Sequence, residues 1–290
     1  MIIGCTGNYR KQEFYNILEI LHNLFKKQNI KFIISSDLEK NKKFNIPSDY
    51  KIMEFSKLIQ KCDILFAIGG DGTILSTVRR LKSLSKPIMG IHIGGLGFLS
   101  ECTESNLEST IKSILNNKYV VSERMLLELQ ICSNNGREKK IRALNDIVVE
   151  QGSSARLLKV EVGVSKHYLN TFEGDGVIFS TPTGSTAYSL SAGGPIIYPS
   201  MDSITITPIC PHSLSARPIV IRPEEVINLA FPDALDDISL VVDGQIKVSI
   251  KRNSKIRIIK AKHNAEIISM KQNSYFKTLR TKMGWIGNVR

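Results

Sequence analysis

The sequence predicts a chain in two parts, an α/β part followed by a β-rich part. Three observations predict it. Up to Asn117, short apolar runs alternate with segments whose apolar residues recur at helical spacing. After Tyr119, nearly every apolar run is short and strand-like, and many are separated by turn residues such as Asn134-Asn135-Gly136, Asp243-Gly244 and Arg252-Asn253-Ser254. The last stretch, SYFKTLRTKMGW at 274–285, returns to helical spacing.

The elements follow in order. MIIGC opens the chain as a strand. Phe14, Ile17, Leu18, Leu21, Leu24 and Phe25 predict an amphipathic helix over 12–28. KFIIS reads as a strand, FSKLIQK as a short helix and DILFAI as a buried strand. Leu75, Val78, Leu81 and Leu84 predict a helix from Thr73 to Pro87, and PIMGIHI is the next strand. Residues 104–117 read as a helix capped at Ser105, with Glu108 three residues on. Strands alternating with helices argue a parallel sheet covered on both faces, so this part is Rossmann-like. Then come RMLLELQICS, IRALNDIVVE, LLKVEVGV, GVIFST, ITITPIC, PIVIR, VINLAF, ISLVVDG, IKVSI, KIRIIKA and AEIISM, the content of a β-sandwich-like domain. The expected division is 1–117 with 272–290 for the α/β domain and 118–271 for the β-rich one.

Composition narrows the function classes. Of 290 residues, 42% are hydrophobic and 23% charged, as in ordinary soluble proteins. No apolar run approaches the ~20 residues of a membrane span, and MIIGCTGNYRK is not a secretion leader. The five cysteines form no CxxC pair, which suits reduced thiols and a cytoplasmic protein. The histidines show no ligand spacing, so no dedicated metal site is expected. Net charge is +12, which fits a polyanionic partner. That partner could be nucleic acid, a nucleotide or an acidic membrane, but the lysines fall in runs such as Glu39-Lys40-Asn41-Lys42-Lys43, usual in solvated loops, and no basic stripe is interleaved with aromatics, so nucleic acid is not expected.

Five stretches could carry chemistry. Gly69-Gly70-Asp71-Gly72-Thr73 ends a buried strand and opens a helix. Its glycines let amides approach a phosphate at a helix N-terminus, and Asp71 is either an acid with a chemical role or a local cap. It is neither a Walker loop nor a dinucleotide fingerprint. A second glycine cluster, Gly94-Gly95-Leu96-Gly97-Phe98-Leu99, follows the next strand, and Phe98 could wall a planar base. Residues 175–195 place Thr181, Thr183, Ser185, Thr186, Tyr188, Ser189 and Ser191 around a Pro-Thr-Gly turn and a helix ended by Gly-Gly-Pro. These hydroxyls either read a base edge or ribose, or cap their own loop. Asn145-Asp146 puts an amide and an acid inside an apolar run, where they need partners. Asp243-Gly244-Gln245 reads first as a hairpin turn.

Together these motifs resemble the NAD kinase family over essentially the whole chain. GGDGT at 69–73 is followed in family order by GIHIGGLGFLSE at 90–101, the Asn-acid pair at 145–146 and DGVIFSTPTGSTAYSLSAGGPI at 175–196. PICPHSLSARPIVI at 208–221, DGQ at 243–245 and the Tyr275–Trp285 tail complete the order. The resemblance implies transfer of the γ-phosphoryl of ATP to the 2′-hydroxyl of the adenosine ribose of NAD, giving NADP. It implies Asp71 as the proton acceptor, with Gly69, Gly70, Gly72 and Thr73 as the phosphate loop. It also implies an NAD site of Asp71, Gly72, Phe98, Asn145, Asp146, Arg156, Asp175, Thr186, Ala187, Tyr188, Ser189, Leu190, Ser191 and Gln245. Mg²⁺ is expected to arrive with ATP, and a homotetramer or dimer is implied. His92 stands where the family usually has Asn, and Asp146 where many members have Glu; Glu173 receives no role. GGDGT also resembles diacylglycerol-type lipid kinases, and a non-catalytic dinucleotide sensor is a further alternative.

Overall fold

The computed structural model describes residues 1–40, 47–95, 97–132, 138–152, 157–232, 238–251, 253–270 and 275–285. Leu96, Arg156, Arg252, Ser274, the Asn134-Asn135-Gly136 turn and Asn41-Lys42-Lys43 lie outside them. The chain divides into unit 1, Met1–Ser122 with Glu266–Arg290, and unit 2, Glu123–Ala265. The expected joints were 117/118 and 271/272; the structure instead divides the chain at 122/123 and 265/266, so EIISM at 266–270, expected in the β-rich part, belongs to unit 1.

Unit 1 opens with β1 (Ile2–Gly7), α1 (Gln12–Lys27) and β2 (Lys31–Ser35). α1 buries Phe14, Ile17, Leu18, Leu21 and Phe25, the stripe its spacing defines, and carries Lys26 and Lys27 at its negative end. Then follow β3 (Ile52–Met53), α2 (Phe55–Lys61) and the wholly buried β4 (Ile64–Gly69). α3 (Asp71–Leu81) is shorter than its sequence pattern, because Lys82 takes φ 55 and ends the helix. β5 (Ile88–His92) and β6 (Cys102–Thr103) precede a 3₁₀ turn and α4 (Leu107–Leu115). Thr103 caps the 3₁₀ turn in a capping box, Thr103 N donating to Asn106 Oδ1 at 2.7 Å, and Asn106 holds the N-cap position of α4, so Ser105 caps neither. β7 (Tyr119–Arg124) then leads into unit 2.

Unit 2 runs through β8 (Leu127–Cys132), β9 (Glu138–Ala143), β10 (Asp146–Gln151), β11 (Leu158–Val164), β12 (His167–Gly174) and β13 (Gly176–Ser180). A 3₁₀ turn over Gly184–Thr186 and a four-residue helix α5 (Tyr188–Ser191) follow, ended by Gly193 at φ 87. β14 (Ile204–Ile209), β15 (Ile219–Ile221), β16 (Ile227–Ala230), β17 (Ile238–Val242), β18 (Ile246–Ile250) and β19 (Lys255–Lys260) complete it. They form two six-stranded sheets, β15-β14-β13-β10-β17-β18 and β12-β11-β16-β19-β8-β9. Ile147, Val149, Val177, Phe179 and Leu240 of the first share one core with Leu127, Leu129, Val160, Val162 and Ile258 of the second. This is the packing of a β-sandwich.

β20 (Ala265–Met270) and α6 (Tyr275–Met283) return the chain to unit 1. β20 is a strand of the α/β unit's sheet, whose order is β3-β2-β1-β4-β5-β20-β7 with β6 also beside β5. The pairs β1–β2, β1–β4, β4–β5 and β5–β20 are parallel.

Candidate functional site

In unit 1 the strand order reverses at β1, whose neighbours are β2 on one side and β4 on the other. Ligands of open parallel sheets lie beyond the strand C-termini at such a reversal. Gly69 and Gly70 occupy that end of β4, and Asp71 is the first residue of α3. Thr73 N closes the turn on Gly70 O at 2.8 Å. Gly69 registers with His92 at the end of β5, so the second glycine loop leaves the adjacent strand end.

Asp71 is not the helix cap; Gly70 holds that position, with no side-chain cap bond. The Asp71 carboxylate instead accepts two amides of the second loop. Phe98 N donates to Oδ2 at 2.8 Å and Leu99 N to Oδ1 at 3.2 Å. The buried Gly97 makes this approach feasible, since a Cβ there would lie 2.8 Å from Asp71 Cγ and 2.9 Å from Ser100 Oγ. A carboxylate has about four acceptor positions, so two amides leave it able to take a proton from a hydroxyl. Phe98 is half-buried. His92 Nδ1 is buried without a hydrogen-bond partner among the described residues, and Nε2 lies 3.7 Å from where a Cβ on Gly70 would sit.

In unit 2, the run IRALNDIVVE is not one strand. It breaks between Ala143 and Asp146, and Asn145-Asp146 stands at the break. Here a cavity of about 320 Å³ is lined by Asn145, Asp146, Val148, Glu150, Ala187, Tyr188, Val241, Asp243 and Gly244. Asp146 is 4% exposed. Burial first, and then the charge of Asp243, push its carboxyl from 3.8 up to about 7. Glu150 is paired with Lys247 at 3.0 Å.

The cavity unites Asn145, Asp146, Ala187, Tyr188, Asp243 and Gly244 of the residues singled out in the sequence. Several of the hydroxyls turn inward. Thr181 Oγ1 donates to Leu144 O at 2.5 Å, Ser185 Oγ to Pro182 O at 2.7 Å, and Ser189 Oγ pairs with Thr207 Oγ1 at 3.0 Å. Thr186 Oγ1 donates to Thr183 O at 3.4 Å. Leu190 is half-buried and Ser191 exposed, both outside the cavity lining. Asp175 is exposed at the bend between β12 and β13, hydrogen-bonded to the Cys210 thiol, whose pKa it raises. Gln245 is exposed in the β17–β18 turn, and Glu173 O accepts the His212 amide at 2.8 Å. Sequence reasoning passed over Val148, Glu150 and Val241, which sit on strands with no motif of their own.

A glycine turn and clamped acid at strand ends beside a sheet reversal, in one chain with a sandwich holding a buried-acid cavity, suit a two-domain nucleotide phosphotransferase. Residues 3–119 match the family model of the ATP-NAD kinase N-terminal domain, and residues 144–270 that of the C-terminal domain. The chain is 34% identical over 284 residues to an NAD kinase of Salmonella choleraesuis, covering 98% of this chain and 96% of that one. It is 40% identical over 226 residues to one of Geotalea daltonii, covering 78% and 80%. In fold it is similar to a yeast NADH kinase complexed with NADH, with TM-score 0.87 and 24% identity, covering 100% of this chain and 89% of that one. The chain belongs to the NAD kinase family.

Proposed function

We propose that the chain phosphorylates NAD, transferring the γ-phosphoryl of ATP to the 2′-hydroxyl of the adenosine ribose to give NADP. The observation that carries this reading is the Asp71 carboxylate, held by Phe98 N and Leu99 N beside the Gly69–Thr73 turn. Phosphoryl transfer passes through a loose transition state, so positioning and charge neutralisation dominate and a modest base suffices. Asp71 takes the hydroxyl proton as the O–P bond to NAD forms, and ADP leaves with the electrons of the cleaved bond. The turn amides and the positive end of α3 favour phosphate oxygens. ATP enters as its Mg²⁺ complex, the ion riding on phosphate oxygens and offsetting the charge of Asp71.

Asn145 and Asp146 are assigned to ribose hydroxyls of the dinucleotide, with Ala187 and Tyr188 as walls. Support comes from the cavity these residues line and from the burial of the Asp146 acid at its edge. All five cysteines are free, in keeping with a cytoplasmic enzyme. Self-association belongs to the same reading: β15, the outer strand of its sheet, exposes Ile219 and Val220. Sedimentation at single-chain mass would remove that part.

Incubation of the purified protein with NAD, ATP and Mg²⁺ is expected to yield NADP, read by an NADP-specific dehydrogenase. Absence of NADP with ATP, and with every other phosphoryl donor tried, overturns the assignment.

A further inference from the structure

The segment Leu144–Asp146 is held from two sides. Its carbonyls meet the turn after β13: Thr181 N donates to Asn145 O at 2.9 Å and Thr181 Oγ1 to Leu144 O at 2.5 Å. Its amides meet one carboxylate, that of Asp243. Asn145 N donates to Asp243 Oδ1 at 2.8 Å, Asp146 N to the same oxygen at 3.4 Å, and Leu144 N to Oδ2 at 3.3 Å. Asp243 N in turn donates to Asp146 O at 2.9 Å. These amides lie where the chain passes from β9 to β10, and a buried amide without an acceptor is costly.

The hairpin aims the acid. β17 and β18 register as Val242↔Ile246, leaving Asp243, Gly244 and Gln245 as the loop. Asp243 takes φ 51 and Gly244 φ 63, left-handed values that Asp and Gly tolerate. The Asp243 side chain therefore points back into the sheet rather than out to water, and the residue is 7% exposed. A turn acid with no inward role would be solvated.

We propose that Asp243 is a positioning residue for the dinucleotide, fixing the Leu144–Asp146 backbone so that Asn145 and Asp146 present their side chains to ribose. This rests on the assignment of the Asn145–Asp146 cavity to NAD. Asp243 acts on Asp146 in a second way, through charge. With burial as the larger cause, it holds the Asp146 carboxyl near 7. Among the described residues, the other titratable groups facing Asp146 are Glu150, paired with Lys247 of β18, and Tyr188 of α5. The flanking strands Gly176–Ser180 and Ile238–Val242 carry none. An ionised Asp146 accepts ribose hydroxyls, so NAD affinity rises with pH through the neutral range. Removing the Asp243 charge moves that rise to lower pH.

The test titrates NAD and ATP into the full-length protein and its Asp243→Asn, Asp146→Asn and double variants by calorimetry across the neutral range. Asp243→Asn is expected to weaken NAD by about tenfold or more while ATP affinity holds. KM for NAD rises more than kcat falls, and the pH midpoint for NAD binding drops. In the double variant that midpoint shift disappears, because it runs through Asp146. Parental NAD affinity and midpoint in Asp243→Asn overturn the proposal. Should that variant not fold, Asp243→Glu decides. It keeps the charge and displaces it by one methylene, so weakened NAD with a near-parental midpoint supports the proposal and parental affinity overturns it. Unchanged NAD affinity in Asp146→Asn is a different failure, that of the cavity assignment itself.

Discussion

Asp71→Asn is expected to slow NADP formation by about 10²–10⁴-fold, the contribution of a positioned general base. The amide is nearly isosteric, so bulk at the start of α3 is preserved. Its Oδ1 can still accept one of the two amides from Phe98 and Leu99 that clamp the carboxylate. What it lacks is an acceptor of adequate basicity for the ribose proton. Binding of NAD and ATP, measured by calorimetry, is expected to fall much less than turnover, since phosphate and ribose contacts do not depend on that proton. Turnover near the parental rate would remove Asp71 as the base. Loss of ATP binding with unchanged turnover at saturation would make it a binding group instead.

Gly184→Ala carries the second large effect, on structure rather than chemistry. Gly184 lies buried in the turn after β13, and a Cβ there would fall 2.6 Å from Asn145 Cα and overlap the Asn145 carbonyl oxygen. The obstacle is backbone, which cannot rotate away as a side chain can. The turn is further pinned by Gly184 N donating to Thr181 Oγ1 at 3.0 Å. Either the turn or the Asn145 segment must move, at a cost of about 3 kcal/mol. Chemical denaturation is expected to show an earlier transition, and NAD affinity to fall with it. A variant melting with the parent and binding NAD normally would show that Asn145 shifts without consequence.

The fold was legible in the sequence wherever one element buries one regular face. α1 announces itself by its apolar spacing, and β4 by an unbroken apolar run. The polar β12, whose first residues are exposed, carries no apolar run and passed unseen. Local capping was harder still. Ser105 and Thr103 both suit a helix start, and the Asn106 side chain decides for Thr103. The site was legible as motifs but not as contacts. ALNDIVVE reads as one strand because its break depends on Asp243, 98 residues away from Asn145. The hydroxyls of 181–189 read either as ligand groups or as caps of their own loop; Ser185 and Thr186 do bond within the loop, while Thr181 and Ser189 meet partners distant in the sequence. Asp71 offered a choice between cap and reactive acid, and the amides that engage it come from a loop 27 and 28 residues on.

The place of β20 in the first sheet has a consequence for biogenesis. β20 lies between β5 and β7, so β7 joins the sheet only through a strand made after the whole sandwich. A chain leaving the ribosome can complete its sandwich while the α/β sheet still lacks an inner strand. Until β20 docks, the edge of β5 that it will occupy stays open, an invitation to pairing with other nascent chains. A strand made after the sandwich therefore closes a sheet begun before it.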